Sequence, residues 1–133
     1  MIWLLDTNIF IPALNGRPSV RARLNESAAV GEVATSVLVI GELLYGAKCS
    51  KRSADNLRAI EAELANVAVL PVTTDIVRLF SDLKASLRRR GLVKSDVDLL
   101  IATTALHHSA TLVTDDQALL AGDIPGLSLE NWV

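Results

Sequence analysis

Carboxylates recur in this sequence where apolar segments begin or end. Asp6 follows "IWLL", Glu42 stands inside "VIGELLYG", Asp98 precedes "LLIA", and the pair Asp115 and Asp116 follows "TLVT". Acids gathered in one place repel, and at neutral pH they stay ionised together only beside a cation; otherwise one of them takes up a proton. Hard carboxylate oxygens select Mg²⁺ or Mn²⁺. Cys49 is the sole cysteine, so no thiolate cluster offers a softer site, and it reads as a small buried apolar residue. His107 and His108 fall about two and a half turns beyond Asp98 on the same helix and stay outside the set. Magnesium held by few carboxylates keeps waters, binds phosphate oxygens and lowers the pKa of a water. One or two such ions on these acids suit the hydrolysis of a phosphodiester.

Each acid also has a purely structural reading. Aspartate is a common helix N-cap, and Asp6 and the Asp115–Asp116 pair both precede helical segments. Asp98 follows Ser95 by three residues, the spacing of a capping box with Asp in place of the usual Glu or Gln. Glu42 has uncharged neighbours at three and four residues either side, Leu38, Val39, Tyr45 and Gly46, so the sequence places it on an apolar helix face. An ionised carboxylate there is costly without a cation or donors, unless that face is open to water. Asp96 reads as a solvent-facing neighbour of Asp98.

The elements that must carry these residues follow from apolar periodicity. Ile2 to Leu5, Val33 to Thr35, Val67 to Val72 and the segment 111–114 read as short buried strands, with Leu127 to Leu129 as a weak edge strand. Between them lie helices: Val37 to Lys48 capped by Ser36, one capped by Ser53 and running to about Ala65, one capped by Thr74 and ending at Gly91, one capped by Ser95 and running to His108, and a short one in "DDQALLAG". Strands separated by single helices imply a three-layer α/β domain with a mainly parallel central sheet of four to five strands. In such sheets polar groups collect where the strands end, so Asp6 and Asp115–Asp116 are delivered to one rim.

The totals bound the rest. With 133 residues, half of them apolar, the chain fits a single domain over 1–133, with no repeat or linker. The longest stretch free of Asp, Glu, Lys and Arg is Leu99 to Thr114, 16 residues with two histidines, too short for a membrane helix. The N-terminus lacks a basic leader and carries Asp6 in its apolar stretch, so a cytoplasmic location is expected. The net charge of −2 hides an asymmetry, because all 13 Lys and Arg lie in residues 1–94 and the last 39 residues hold 6 acids and no Lys or Arg. A uniformly basic nucleic-acid binder is not indicated.

In order and spacing, "LLDTNIF", "VIGELLYG", "DLLIATTAL" and "LVTDD" resemble the successive acidic motifs of PIN-domain nucleases, and most closely the VapC-type toxins of bacterial toxin–antitoxin pairs. The resemblance spans nearly the whole chain. It implies a PIN-like fold, a Mg²⁺- or Mn²⁺-dependent endoribonuclease acting on tRNA or ribosomal RNA, a cognate VapB-type antitoxin and a homodimer. Asp6, Glu42 and Asp98 match the family's three core acids and Asp116 its fourth; Asp115 and Asp96 stand one step out of register as alternatives. Thr7, Asn8 and Thr114 match the polar residues that flank the acids, and equally fit turn and capping roles.

Basic residues that could hold an RNA backbone fall in two runs: Lys48, Lys51 and Arg52 in "KCSKR", and Arg88, Arg89, Arg90 and Lys94 in "LKASLRRRGLVK". Cations in the last helical turn before Gly91 also favour the helix dipole without touching RNA. Aromatics are few, and Trp3 and Trp132 read as packing residues. Other classes fit less well. A phospho-accepting receiver domain needs a late lysine and an acid pair before Asp6; a haloacid-dehalogenase-like phosphatase needs an acid where Asn8 stands. A PIN fold that binds RNA or a partner without cutting remains the third alternative.

Overall fold

The computed structural model describes residues 1–133. A five-stranded sheet, all of its pairings parallel, is flanked by seven helices. The strands are β1 (Ile2–Leu5), β2 (Glu32–Ser36), β3 (Ala68–Leu70), β4 (Thr111–Val113) and β5 (Ser128–Glu130), in the order β3-β2-β1-β4-β5. The helices are α1 (Thr7–Leu14), α2 (Pro18–Val30), α3 (Val37–Lys48), α4 (Ser53–Leu64), α5 (Thr74–Arg89), α6 (Asp96–His107) and α7 (Gln117–Leu120). Trp3, Leu4 and Leu5 are all buried, so both faces of the central strand are covered, as a parallel sheet requires.

The α/β architecture matches the expectation, with shifts at the ends of elements. Thr73, not Thr74, caps α5, its hydroxyl accepting from the Ile76 amide at 3.3 Å. Arg52, not Ser53, precedes α4, and its side chain supplies no cap. The third strand is confined to Ala68–Leu70 and β5 is shifted one residue along. Helices α1 and α2 fill residues 7–30, for which periodicity assigned no helical bounds. Cys49 is exposed, contrary to the buried expectation, because it is the C-cap of α3, where the chain turns at the surface. Trp3 and Trp132 are buried packing residues as expected.

Helix α5 stops in a Schellman arrangement. Gly91 at φ 73° lets the Leu92 amide return to the Leu87 carbonyl at 2.9 Å and its own amide to Arg88 at 3.0 Å. The chain therefore reverses sharply, and α6 packs back along α5.

Beside the sheet edge, the half-buried Glu130 accepts from Trp132 Nε1 and Arg23 Nη2, each at 2.8 Å. Burial pushes its carboxyl upward, but these two donors and the Arg23 charge outweigh it and hold the group below the usual carboxylate range. A lowered pKa contributes stability above the unfolded-state value that fades as pH falls through the folded one. Glu130→Gln is therefore expected to lose stability at pH 7 and to flatten the acid limb of its pH–stability curve, measured by urea titration.

Candidate active site

Strand order reverses at β1, which lies between β2 and β4. The crevice beyond the carboxyl ends of β1 and β4 is the topological switch point where open α/β sheets bind ligands. Leu5 pairs with Val113 in register, so Asp6 and Thr114 leave the sheet side by side. The Asp6 amide donates to the Val113 carbonyl at 3.0 Å.

Asp6 is buried, with 4% of its surface exposed. Its Oδ1 accepts from the Thr7 amide at 2.8 Å, so it caps α1, and its Oδ2 accepts from Thr114 Oγ1 at 2.8 Å. Desolvation raises its pKa and outweighs the hydrogen bonds from Thr114 and Thr7, which lower it; the charges of Asp98 and Glu42 raise it further. The fold thus brings Asp6, Glu42 and Asp98 within electrostatic reach of one another.

Thr7 joins two of them directly. Its amide holds Asp6, and its hydroxyl donates to Glu42 Oε1 at 2.8 Å. Glu42 itself is exposed, which corrects the apolar-face expectation: Gly41, Tyr45 and Gly46 on the same side of α3 are also open to solvent. Asp98 sits in the first turn of α6, where Ser95 Oγ accepts from its amide at 3.1 Å, so the cap is real, and the charge of its carboxylate acts on Asp6.

Thr114 is a second junction. Its one hydroxyl proton goes to Asp6, and its oxygen accepts from the Asp116 amide at 3.0 Å and from Asn8 Nδ2 at 3.3 Å. Asn8 Oδ1 in turn accepts from the Asp115 amide at 2.9 Å. Asp116 Oδ1 caps α7 by accepting from the Ala118 amide at 2.8 Å, whereas Asp115 Oδ1 is held by Asn131 Nδ2 at 2.8 Å. Asn131 carried no sequence signal, since only the pairing of β5 with β4 brings it to this loop. Asp96 is engaged by Lys84 at 2.7 Å on the surface.

None of the seven ion pairs uses Asp6, Glu42, Asp98, Asp115 or Asp116; their acids are Glu26, Asp55, Glu63, Asp96, Asp123 and Glu130. The rim is thus negative and lacks a protein cation. Its carboxylates do not close into a cage, for no three Asp, Glu, His or Cys side chains converge as a ready-made metal site. Carboxylate oxygens are nonetheless hard donors of the kind that Mg²⁺ and Mn²⁺ accept.

Lys48, Lys51 and Arg52 are exposed around the α3–α4 turn, about 9 Å along the helix from Glu42 by the usual rise in the case of Lys48. Arg52 leans on Asp55. Arg88 and Arg89 are exposed at the end of α5 that adjoins the N-terminus of α6. Arg90 donates to the Asp123 carbonyl at 2.9 Å, and Lys94 is turned inward. An open groove of about 360 Å³ runs between α1, α3 and α4, lined by Thr7 and Glu42 together with Ile11, Leu14, Leu43 and Ile60.

A parallel sheet with acids free of ion pairs at its switch point is an open α/β ligand site of negative charge. The PIN domain profile matches residues 3–123, and this chain belongs to the PIN-domain family. It is 35% identical to Ribonuclease VapC2 of Rickettsia felis over 99% of this chain and 98% of that protein. It is 30% identical to a tRNA(fMet)-specific endonuclease VapC of Shigella flexneri, over 98% and 97% of the two chains. Its fold superposes with a TM-score of 0.93 on a chain in the crystal structure of Rickettsia felis VapBC2 bound to a promoter DNA fragment, at 34% identity and complete coverage of both. No helix is long and apolar enough to cross a membrane.

Proposed function

We propose that this chain is an endoribonuclease of the VapC type, the toxin of a toxin–antitoxin pair, and that Asp6, Glu42, Asp98 and Asp116 support hydrolysis of an RNA phosphodiester. The observation that carries the reading is the buried Asp6 carboxylate, desolvated at the switch point beside Asp98 and Glu42 with no protein cation to balance it. Mg²⁺ or Mn²⁺, when bound to these acids, supplies charge neutralisation at phosphorus and a more acidic water. The chain's own part is to hold the acids apart and oriented: Thr7 fixes Asp6 to Glu42, and Thr114 fixes Asp6 to the Asp116 loop. No protein nucleophile is needed.

The substrate in this reading is a structured RNA, tRNA or ribosomal RNA, and the Shigella relative's specificity favours tRNA. Arg88 and Arg89, free of ion pairs near the α6 N-terminus, are the grip on its backbone. Replacing both by alanine is expected to weaken RNA binding about tenfold and to reduce the salt slope of log K by about two, read by filter binding across KCl concentrations. An unchanged slope would restrict these arginines to helix capping.

A VapB-type antitoxin fits the apolar groove between α1, α3 and α4, because a segment seated there lies against Glu42 and can bring a cation to the unpaired acids. Val37, Tyr45 and Val77 remain exposed on helices, apolar surface of the kind that a second copy covers in a homodimer. The decisive experiment is incubation of purified protein with total tRNA and ribosomal RNA, with and without Mn²⁺, beside an Asp6→Asn control. Defined fragments that require both the ion and Asp6 are expected; equal fragments from the control would overturn the reading.

A further inference from the structure

Lys94 stands out because its side chain is only 5% exposed although it lies at the end of a basic run, in the turn between α5 and α6. Its Nζ donates to the Ala118 carbonyl at 2.6 Å and to Asp123 Oδ2 at 3.1 Å. A lysine so committed cannot meet an RNA phosphate without giving up both bonds. The two partners are not incidental. Ala118 is the residue whose amide donates to Asp116 Oδ1, so one peptide unit away from the Lys94 ammonium is the hydrogen bond that aims the Asp116 carboxylate.

Helix α7 needs such an anchor. It has four residues, too few to sustain itself. The Gly122 amide, the helical partner of the Ala118 carbonyl, bonds Leu119 at 3.4 Å instead, so Lys94 satisfies a terminal carbonyl that the helix leaves open. Arg90 also holds the turn after α7, through the Asp123 carbonyl at 2.9 Å. At its other end, Lys94 directly precedes Ser95, whose hydroxyl accepts the Asp98 amide. The Gly91 reversal after α5 delivers both residues to this spot.

We propose that Lys94 is a positioning residue of the active site: its inward ammonium locks α7, which carries Asp116, against the N-terminus of α6, which carries Asp98, and so sets the spacing of those two acids. The inference rests on the assignment of Asp98 and Asp116 as site acids. It also removes Lys94 from the RNA-gripping set, in contrast to Arg88 and Arg89.

The test compares Lys94→Met, and Asp123→Asn as a milder variant that keeps the shape, with wild type. Six quantities are read: kcat and KM for RNA cleavage, the salt slope of RNA binding, Mn²⁺ affinity by calorimetry, hydrogen exchange of the α7 amides, and the melting temperature. Lys94→Met is expected to lower kcat about thirtyfold with KM and salt slope unchanged, to weaken Mn²⁺ binding severalfold and to speed exchange at Ala118 and Leu119; Asp123→Asn should show smaller effects of the same kind. A raised KM with a salt slope reduced by about one and kcat kept would make Lys94 a phosphate contact and overturn the proposal. So would a fall in melting temperature with kcat, Mn²⁺ affinity and α7 exchange unaltered. If wild type cleaves no RNA, the nuclease reading falls, while the Mn²⁺ and exchange measurements still decide the lock: joint losses uphold it and unchanged values overturn it.

Discussion

Replacing Asp6 by asparagine is expected to lower RNA cleavage by about a thousandfold or more while making the metal-free protein more stable at pH 7. The first effect follows from removing the one acid that is buried at the switch point and touched by both junction residues, Thr7 and Thr114; losing a preorganised electrostatic group in a closed site costs roughly 10²- to 10³-fold on its own. The second follows from the direction of its pKa. Because burial, Asp98 and Glu42 raise it, the folded chain binds the proton more tightly than the unfolded chain does. That contribution to stability is complete at pH below the unfolded value and is lost as pH rises through the folded one. At pH 7 the charge therefore opposes folding, and an amide of the same shape relieves a desolvation that outweighs the Thr114 hydrogen bond it gives up. Mn²⁺ should reverse the ranking: at a hundred times its dissociation constant it stabilises wild type by about 2.7 kcal/mol and the variant far less. Thermal melts of both proteins with EDTA and with Mn²⁺ check this crossing. A variant that melts below wild type in EDTA would overturn the stability prediction, and one that gains as much from Mn²⁺ would remove Asp6 from the ion site.

Thr114→Val comes second in expected size. Valine matches the shape, so packing is kept, but three hydrogen bonds vanish together: the donation to Asp6 and the acceptances from Asn8 and the Asp116 amide. Thr114 is fully buried, so the groups it leaves behind are poorly reached by water. A buried polar group without its partner costs about 1–3 kcal/mol, and a charged partner lies at the upper end. The expected result is a loss of about 2–3 kcal/mol in urea unfolding. Because Asp6 and the Asp116 loop are both released, kcat should also fall about a hundredfold, with KM little changed. Thr114→Ser keeps the hydroxyl and should recover most of both. Valine at wild-type activity would show that the acids are held by other means.

Local chemistry accounts for what was legible before any fold. Ser36 and Ser95 were readable as N-caps because a short hydroxyl side chain before an apolar-periodic run satisfies the first free amides, and both accept as expected. β1 and the strand at 111–114 were readable because buried parallel strands are short continuous apolar runs. Helices α1 and α2 were not. Pro12 inside α1 looks like a breaker, and α2 buries only Val20, Leu24 and Ser27, too few for a recognisable stripe. For Glu42 the alternative of a face open to water holds, for a related reason: uncharged neighbours imply burial only if something packs on them, and Gly41, Tyr45 and Gly46 are exposed.

What the sequence determined by itself is the kind of chemistry and the class of fold: which side chains are acidic, that no thiolate set competes with them, and that single helices link short apolar strands. Those properties are set by residues next to each other, where periodicity and side-chain type act directly. Tertiary structure alone decided that β4 pairs with β1 and β5 with β4, that Thr7 and Thr114 tie distant acids together, that Asn131 reaches Asp115, and that Lys94 turns inward to Ala118 and Asp123. Such contacts join groups tens of residues apart, and their energies depend on burial and distance, which exist only once the chain has closed on itself.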